Sequence, residues 1–358
     1  MNRLAAVGRA CSRAFRSRWP SRLAKGAPLP SRSRAAGWFV GVLASLLSAG
    51  CARDAALPAA PATPEPAPTP RSDRLPARYE LGEATHWWIE LPDDARFDAS
   101  GLCLTPAGDL LVVADRGPQV YRIELPEQGD TVRLSLFAGN LANAGPTLRR
   151  LARSGRLDCE GIAADEQGRL YLCEESRRLV LRLTPGADDV EPLDLDWSPV
   201  ANRFSTTDLN ASFEGIATGG GRLYLANERH PPLILALDLE TRQLLESWAV
   251  EPSGRGLGPL HYSDLSWREG RLFLLLRHQR AILEWDPQRR VVVAQYDFGG
   301  IENAPELRYH RRYPTGVMEG LAVGADCFWL VSDNNGESRV AARGDRRPVL
   351  LRIPRPRP

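Results

Sequence analysis

A chain of 358 residues, 43% hydrophobic and rich in turn formers (31 Gly, 29 Pro), can bury a sizeable core but lacks the composition of a helical bundle. Its net charge of +2 hides an asymmetry: residues 1–50 carry nine Lys and Arg and no acid, so without those nine charges the remainder stands at −7. A net acidic folded part lacks the basic footprint of a nucleic-acid binder.

In chain order, residues 1–50 read as a lipoprotein-type signal peptide. The segment "AAGWFVGVLASLLSAGC" is an apolar run of roughly fifteen residues, short for a membrane span. Its end, "LLSAGC", resembles a bacterial lipobox in which Cys51 becomes the lipidated first residue of the mature chain. An ordinary cleaved signal or a single anchor helix are the alternatives. Residues 51–75, with "ALPAAPATPEPAPTPR", are too rich in Pro and Ala to pack and read as a tether. The prediction is an exported envelope protein on the periplasmic side. Its membrane contact is the lipid anchor, and Ala52 after the cysteine favours the outer membrane.

From residue 76 to 358 the chain repeats itself. The phrases "DASGLCLTPAGDLLVVADRG", "LDCEGIAADEQGRLYLCEES", "ASFEGIATGGGRLYLANERH", "HYSDLSWREGRLFLLLRHQ" and "GVMEGLAVGADCFWLVSDNN" each read as strand, Gly-containing turn, strand. Their anchors, Gly101, Gly161, Gly215, Leu265 and Gly320, stand about 50–60 residues apart. Further strand-like runs follow each hairpin, and no helical period competes with them. The spacing predicts an all-β propeller of five four-stranded blades. The fifth unit lacks a strand, which "THWWIELP" (residues 85–92) can supply from the N-terminal side, closing the ring and removing an exposed edge. Six blades is the alternative, with a degenerate sheet in 124–157 or 298–316.

The first strand of a blade lines the central channel, so a residue repeated per blade forms a ring. Ser100, Glu160, Glu214, Asp264 and Glu319 precede the anchors; Asp115, Glu175, Glu228, Arg277 and Asp333 end the second strands. Both rings are predicted at one mouth. Crowded carboxylates raise one another's pKa values unless a cation compensates, and such oxygen density suits Ca²⁺ or Mg²⁺. Glu160, Glu214, Asp264, Glu319, Asp115 and Asp333 are therefore candidate metal ligands. Glu175, Glu228, Arg229, Arg277, His278 and Asn334 are candidate ligand-binding residues, with Arg277 a built-in counter-ion. The bland alternative makes these acids turn-forming and "EGIA" a packing signature.

Loops over the same mouth carry Arg149, Arg150, Arg153 and Arg156, then Asn202, Arg203 and Asn210, then Arg308, His310, Arg311 and Arg312. Basic loops above an acidic funnel suit a small anionic ligand such as a phosphate ester; solvated surface charge is the alternative. Neither G-x-S-x-G nor H-E-x-x-H occurs. Among five histidines, His230 and His278 lie nearest the predicted mouth. Cys159 and Cys173 fall nearly opposite across one hairpin, leaving open a disulfide or two buried thiols.

Taken in order, "SGLCL…ADRGP", "CEGIA…CEES", "FEGIA…ANER", "SDLSWREGRLFLLLRH" and "MEGLAV…LVSDNN" resemble the esterase-like phytase (phytase-like) family and the related SdiA-regulated propellers, from about Asp98 to Ile353. The resemblance implies a propeller in an exported bacterial protein and hydrolysis of phosphate or other esters with Ca²⁺. Residue by residue it carries over Glu160, Glu214 and Glu319 with Asp115 and Asp333, as mouth or metal residues. The fourth unit departs from the pattern, with Ser263-Asp264-Leu265 and Arg277. Three functions compete: a metal-dependent ester hydrolase, a non-catalytic monomeric propeller binding a ligand or envelope protein, and a sugar-lactone hydrolase.

Overall fold

The computed structural model describes residues 75–90, 96–115, 117–137, 145–153, 157–208, 210–252, 258–311 and 315–357. The expected signal segment, Cys51 and most of the expected tether lie outside the described residues, as do Arg156 and Arg312. Among the described residues no helix is long and apolar enough to cross a membrane.

The described strands fall into five groups. The first holds β3 (Ala99–Leu104), β4 (Leu110–Ala114), β5 (Gly117–Glu124) and β6 (Thr131–Leu136). The second holds β7 (Cys159–Ala164), β8 (Leu170–Glu174), β9 (Leu179–Leu183) and the two-residue β10 (Glu191–Pro192). The third holds β11 (Phe213–Gly219), β12 (Arg222–Asn227), β13 (Leu233–Asp238) and β14 (Leu244–Trp248). The fourth holds β15 (Tyr262–Arg268), β16 (Arg271–Leu276), β17 (Ala281–Asp286) and β18 (Val291–Asp297). The fifth holds β19 (Met318–Val323), β20 (Cys327–Ser332), β21 (Val349–Pro354) and, from the N-terminal side, β2 (Thr85–Glu90).

Each group is an antiparallel meander, and β2 closes the fifth against β21 with Trp87 opposite Leu350. Two pairings were not foreseen. β2 also runs parallel to β6, fusing the outer edges of the fifth and first groups into one eight-stranded sheet. A further strand, β1 (Ala77–Glu80), lies parallel on the outer edge of β18. The segments proposed for a sixth sheet contain the helix Pro146–Arg153 and the short helical turn Gly299–Glu302. No additional four-stranded sheet occurs among the described residues.

The inner strands touch in the cycle β3, β7, β11, β15, β19 and back to β3, the arrangement of a β-propeller. Alternation decides which neighbour each side chain meets. In β8, Leu170 and Leu172 pack toward the first group with Leu111, Val113 and Ile162. Tyr171 and Cys173 point the other way, against Phe213, Ile216 and Leu225 of the third group. Three more clusters fill the remaining interfaces. Each fully buried Leu or Phe contributes about 1.5–3 kcal/mol, so the interfaces between sheets supply most of the stabilisation.

This alternation decides between the two alternatives left open for Cys159 and Cys173. Cys159 sits in the cluster between the first and second groups and Cys173 in the one between the second and third. They occupy opposite faces of one sheet, and all four cysteines of the described residues are buried free thiols. A thiol titration in denaturant without reductant is expected to find all four reactive, with an unchanged melting temperature when reductant is added. Two missing thiols would restore the disulfide.

Four of the five inner strands need glycine where they crowd the axis. A Cβ on Gly215 would lie 2.7–2.8 Å from backbone atoms of Asp264 and Leu265, and one on Gly161 would lie 2.8 Å from the Glu214 carbonyl oxygen. Gly215→Ala is expected to destabilise the fold by about 1–3 kcal/mol, because neither strand can retreat from its neighbour. Chemical denaturation measures this; an unchanged midpoint would contradict it.

Candidate functional site

Every inner strand carries an irregularity at its start. The register shifts between Ala99 and Gly101, Cys159 and Gly161, Phe213 and Gly215, Tyr262 and Asp264, and Met318 and Gly320. The residue left unpaired at each bulge is Ser100, Glu160, Glu214, Ser263 and Glu319. A bulge re-aims a side chain that would otherwise pack between sheets, so these five residues form the first ring.

The fourth member is therefore Ser263, and the assignment of Asp264 to this ring is corrected by one residue. Asp264 stands where other repeats have glycine, and its side chain fills the axis instead of the mouth. Its oxygens accept N–H bonds from Leu102 (3.2 Å), Leu321 (2.7 Å) and Leu265 (2.8 Å), and the Ile216 N–H adds a fourth. Burial pushes this carboxyl well up, opposed by those amides. We assign Asp264 to closing the ring rather than to a metal.

The second ring lies one residue beyond the second strands. The backbone N–H groups of Asp115, Glu175, Glu228 and Asp333 donate to the carbonyls of Asp98, Asp158, Ser212 and Val317. These carbonyl partners reveal a third ring two residues before the bulge, Asp98, Asp158, Ser212 and Val317, and His261 holds the same repeat position in the fourth group. Sequence reading missed it, although the same repeat register marks it.

The three rings bring carboxylates together unevenly. Oxygens of Asp158, Glu160 and Glu175 all lie within 4.8 Å of one another, and so do those of Glu175, Glu214 and Glu228. Glu175 belongs to both groups. It is 4% exposed, and its Oε1 is buried without a hydrogen-bond partner. Burial, then the neighbouring Asp158, raises its carboxyl to about 8. Glu160 is also pushed well up by burial and then by Asp158, and Glu214 by burial and then by Glu160.

Across the mouth the charges are compensated. Arg277 pairs with Glu319 and its Nε donates to the Gly316 carbonyl at 3.0 Å. Burial raises Glu319 to about 7 even though Arg277 opposes the shift. Asp333 rises to about 6, chiefly by burial, and accepts the Asn335 N–H. Arg229 pairs with Glu228 and with Asp208 at 3.3 Å. His261 Nδ1 lies 2.9 Å from Glu228, and its ring stacks on His278 with centroids 3.7 Å apart. Burial lowers both imidazoles to about 4, helped by Arg229 and Arg277 at His261 and by His261 itself at His278.

Other predicted site residues have local duties. The Asn334 amide donates to the carbonyls of Glu337 (2.6 Å) and Arg346 (2.9 Å), which spends it on its own loop. Arg311 is held by buried Glu302 at 2.9 Å, beside Arg280. The first basic loop contains a helix whose Arg149 and Arg150 are exposed and whose start is capped by Asp189. His230, Asn202 and Asn210 are exposed.

All donors at Glu175 and its neighbours are carboxylate oxygens, and one buried oxygen lacks a partner. That set fits a hard divalent cation such as Ca²⁺ or Mg²⁺ and offers nothing to a soft one.

The fold and this mouth define a β-propeller with an acidic, cation-compatible funnel. The chain belongs to the phytase-like family, described as esterase-like activity of phytase, which matches residues 98–336. Among solved structures it is similar to a glutaminyl cyclase from Myxococcus xanthus, with 14% identity and a TM-score of 0.51 over 78% of this chain and 99% of that one. An aldose sugar dehydrogenase from Streptomyces coelicolor matches with 14% identity and a TM-score of 0.38, covering 76% of this chain and 99% of that one. A virginiamycin B lyase from Staphylococcus aureus matches with 11% identity and a TM-score of 0.36, covering 74% and 69%. At these identities the likeness concerns the fold alone. No curated protein matches the chain.

Proposed function

We propose that the protein is an exported, Cys51-anchored ester hydrolase that acts on phosphate or related esters at the carboxylate-lined mouth and depends on a divalent cation, Ca²⁺ foremost. The observation that carries this reading is Glu175, a buried carboxylate shared by two oxygen clusters and lacking a partner for one oxygen. Family membership adds the esterase description. Export and anchoring rest on the segment ending in "LLSAGC".

Asp158, Glu160, Glu175, Glu214 and Glu228 are the residues that would hold the cation. When bound, the cation supplies positive charge to an ester oxygen and lowers the pKa of an attacking water. The chain's own residues do the rest. Arg277, fixed by Glu319 and Gly316, places a permanent positive charge at the opposite wall, where an anionic group can settle. His261 and His278 are neutral near pH 7 and, as weak bases, can accept a hydrogen bond from a water there; Glu228 holds His261 in orientation.

The test is phosphate release from phytate, and release of alcohol from simple phosphate and carboxylate esters, by purified protein with Ca²⁺ or with chelator. Calcium-dependent turnover lost in Glu214→Ala supports the hydrolase. A folded sample that turns over none of these esters rejects it and leaves a ligand-binding propeller.

A further inference from the structure

At the opposite end of the channel, the hairpin turns between first and second strands surround a cavity of 980 Å³. That is the size of a small-ligand site. It is built from other residues than the acidic mouth: Thr105 and Pro106 in the first group, Asp165 to Arg169 in the second, Thr218 to Gly221 in the third, and Ser266 to Glu269 in the fourth.

Three features say what it would hold. The first is an aromatic plane. Trp267 lines the cavity and is stacked on Tyr224, with centroids 5.3 Å apart and an interplanar angle of 13°. The backbone under it is Gly219, where a Cβ would come within 2.0–2.2 Å of the indole, so the glycine makes room for the ring to lie flat. Gly220 and Gly221, both at positive φ, carry the turn past it.

The second feature is the pairing of every arginine that lines it. Arg169 is paired with Asp165, Arg182 and Arg242 share Glu191, and Glu269 pairs with Arg268 and Arg355. The cavity's arginines thus already have partners, and an anionic ligand would find no unpaired arginine there. The third is a rim of exposed hydrogen-bonding groups, Glu166, Gln167 and Glu240, with acceptors and an amide donor side by side.

A flat indole, arginines already paired and a rim of carboxylate acceptors with one amide match a ring with one apolar face and hydroxyls at its edge. We infer that this cavity binds a neutral carbohydrate, an oligosaccharide stacking on Trp267, independently of any chemistry at the other mouth.

Saturation-transfer NMR with the purified full chain tests this, using cellotriose, chitotriose and maltotriose as probes, with and without chelator. At least one trisaccharide is expected to receive saturation, undiminished by the chelator. Binding is expected to weaken about tenfold in Trp267→Ala, the loss of one stacked contact. Should that variant fail to fold, the exposed double change Glu166→Ala/Gln167→Ala decides, with weaker binding expected. No transfer to any of the three sugars, or binding undiminished in every folded variant, overturns the inference.

Discussion

Removing the carboxylate of Asp264 is expected to cost the protein about 4 kcal/mol of stability. Its two oxygens accept N–H groups from four inner strands, β3, β11, β15 and β19, at the one point where all strands crowd the axis. Asp264→Ala would strand those four amides in a dry interior, since the residue is fully buried. Asp264→Asn keeps one oxygen but turns an amide donor toward amide donors, and about half that loss is expected. Denaturant unfolding of the two variants measures both values. An Asp264→Ala protein as stable as the parent would show that the carboxylate does not close the ring.

The second large effect is expected at Glu175, with opposite signs for stability and function. Glu175→Gln is expected to weaken Ca²⁺ binding about 100-fold by removing the ligand common to both clusters. The same change should stabilise the metal-free protein by about 1–2 kcal/mol, because it relieves repulsion among buried carboxylates. The pH dependence follows the same logic. Glu175, Glu319 and Asp333 have folded-state values of about 8, 7 and 6, above those of the unfolded chain. These carboxyls bind more protons in the folded state than in the unfolded one. His261 and His278, lowered to about 4, oppose them below about pH 6.5, so metal-free stability falls as pH rises from about 6.5 to 8. Ca²⁺ should flatten that fall, since it replaces protons at the cluster. Thermal melts across that range, with chelator and with Ca²⁺, check it. Metal-free protein that gains stability toward pH 8 would contradict the assignment.

Much of this architecture is written in the repeat. Phrases such as "CEGIA" and "FEGIA" mark the inner strands because each combines a bulge and a close approach. The acid is the bulged residue aimed at the mouth, and the glycine is the position with no room for a side chain. The closing strand was legible as well, since the fifth unit lacked a partner for its third strand. What failed was the fourth repeat. With no Glu-Gly in "HYSDLSW", the visible acid was aligned with the other acids, although it stands in the glycine position and faces inward. A one-residue shift there turns a metal ligand into a structural pin. The ring of Asp98, Asp158 and His261 escaped for a different reason. Those residues precede the regular strands; backbone bonds from Asp115 and Glu175 place Asp98 and Asp158 at the mouth, and contacts with Glu228 and His278 place His261 there. Arg311 and Asn334 looked available because their partners, Glu302 and the carbonyls of Glu337 and Arg346, come from elsewhere in the fold or from the return of the same loop.

The proposed function requires that the carboxylates around Glu175 bind a divalent cation. Calorimetric titration of Ca²⁺ into chelator-stripped protein near neutral pH, repeated with Glu175→Gln, tests it most directly. Saturable binding with proton release in the parent, and loss of that binding in the variant, is the predicted result. A folded parent protein that takes up no Ca²⁺ or Mg²⁺, or a variant that binds as tightly as the parent, would contradict it.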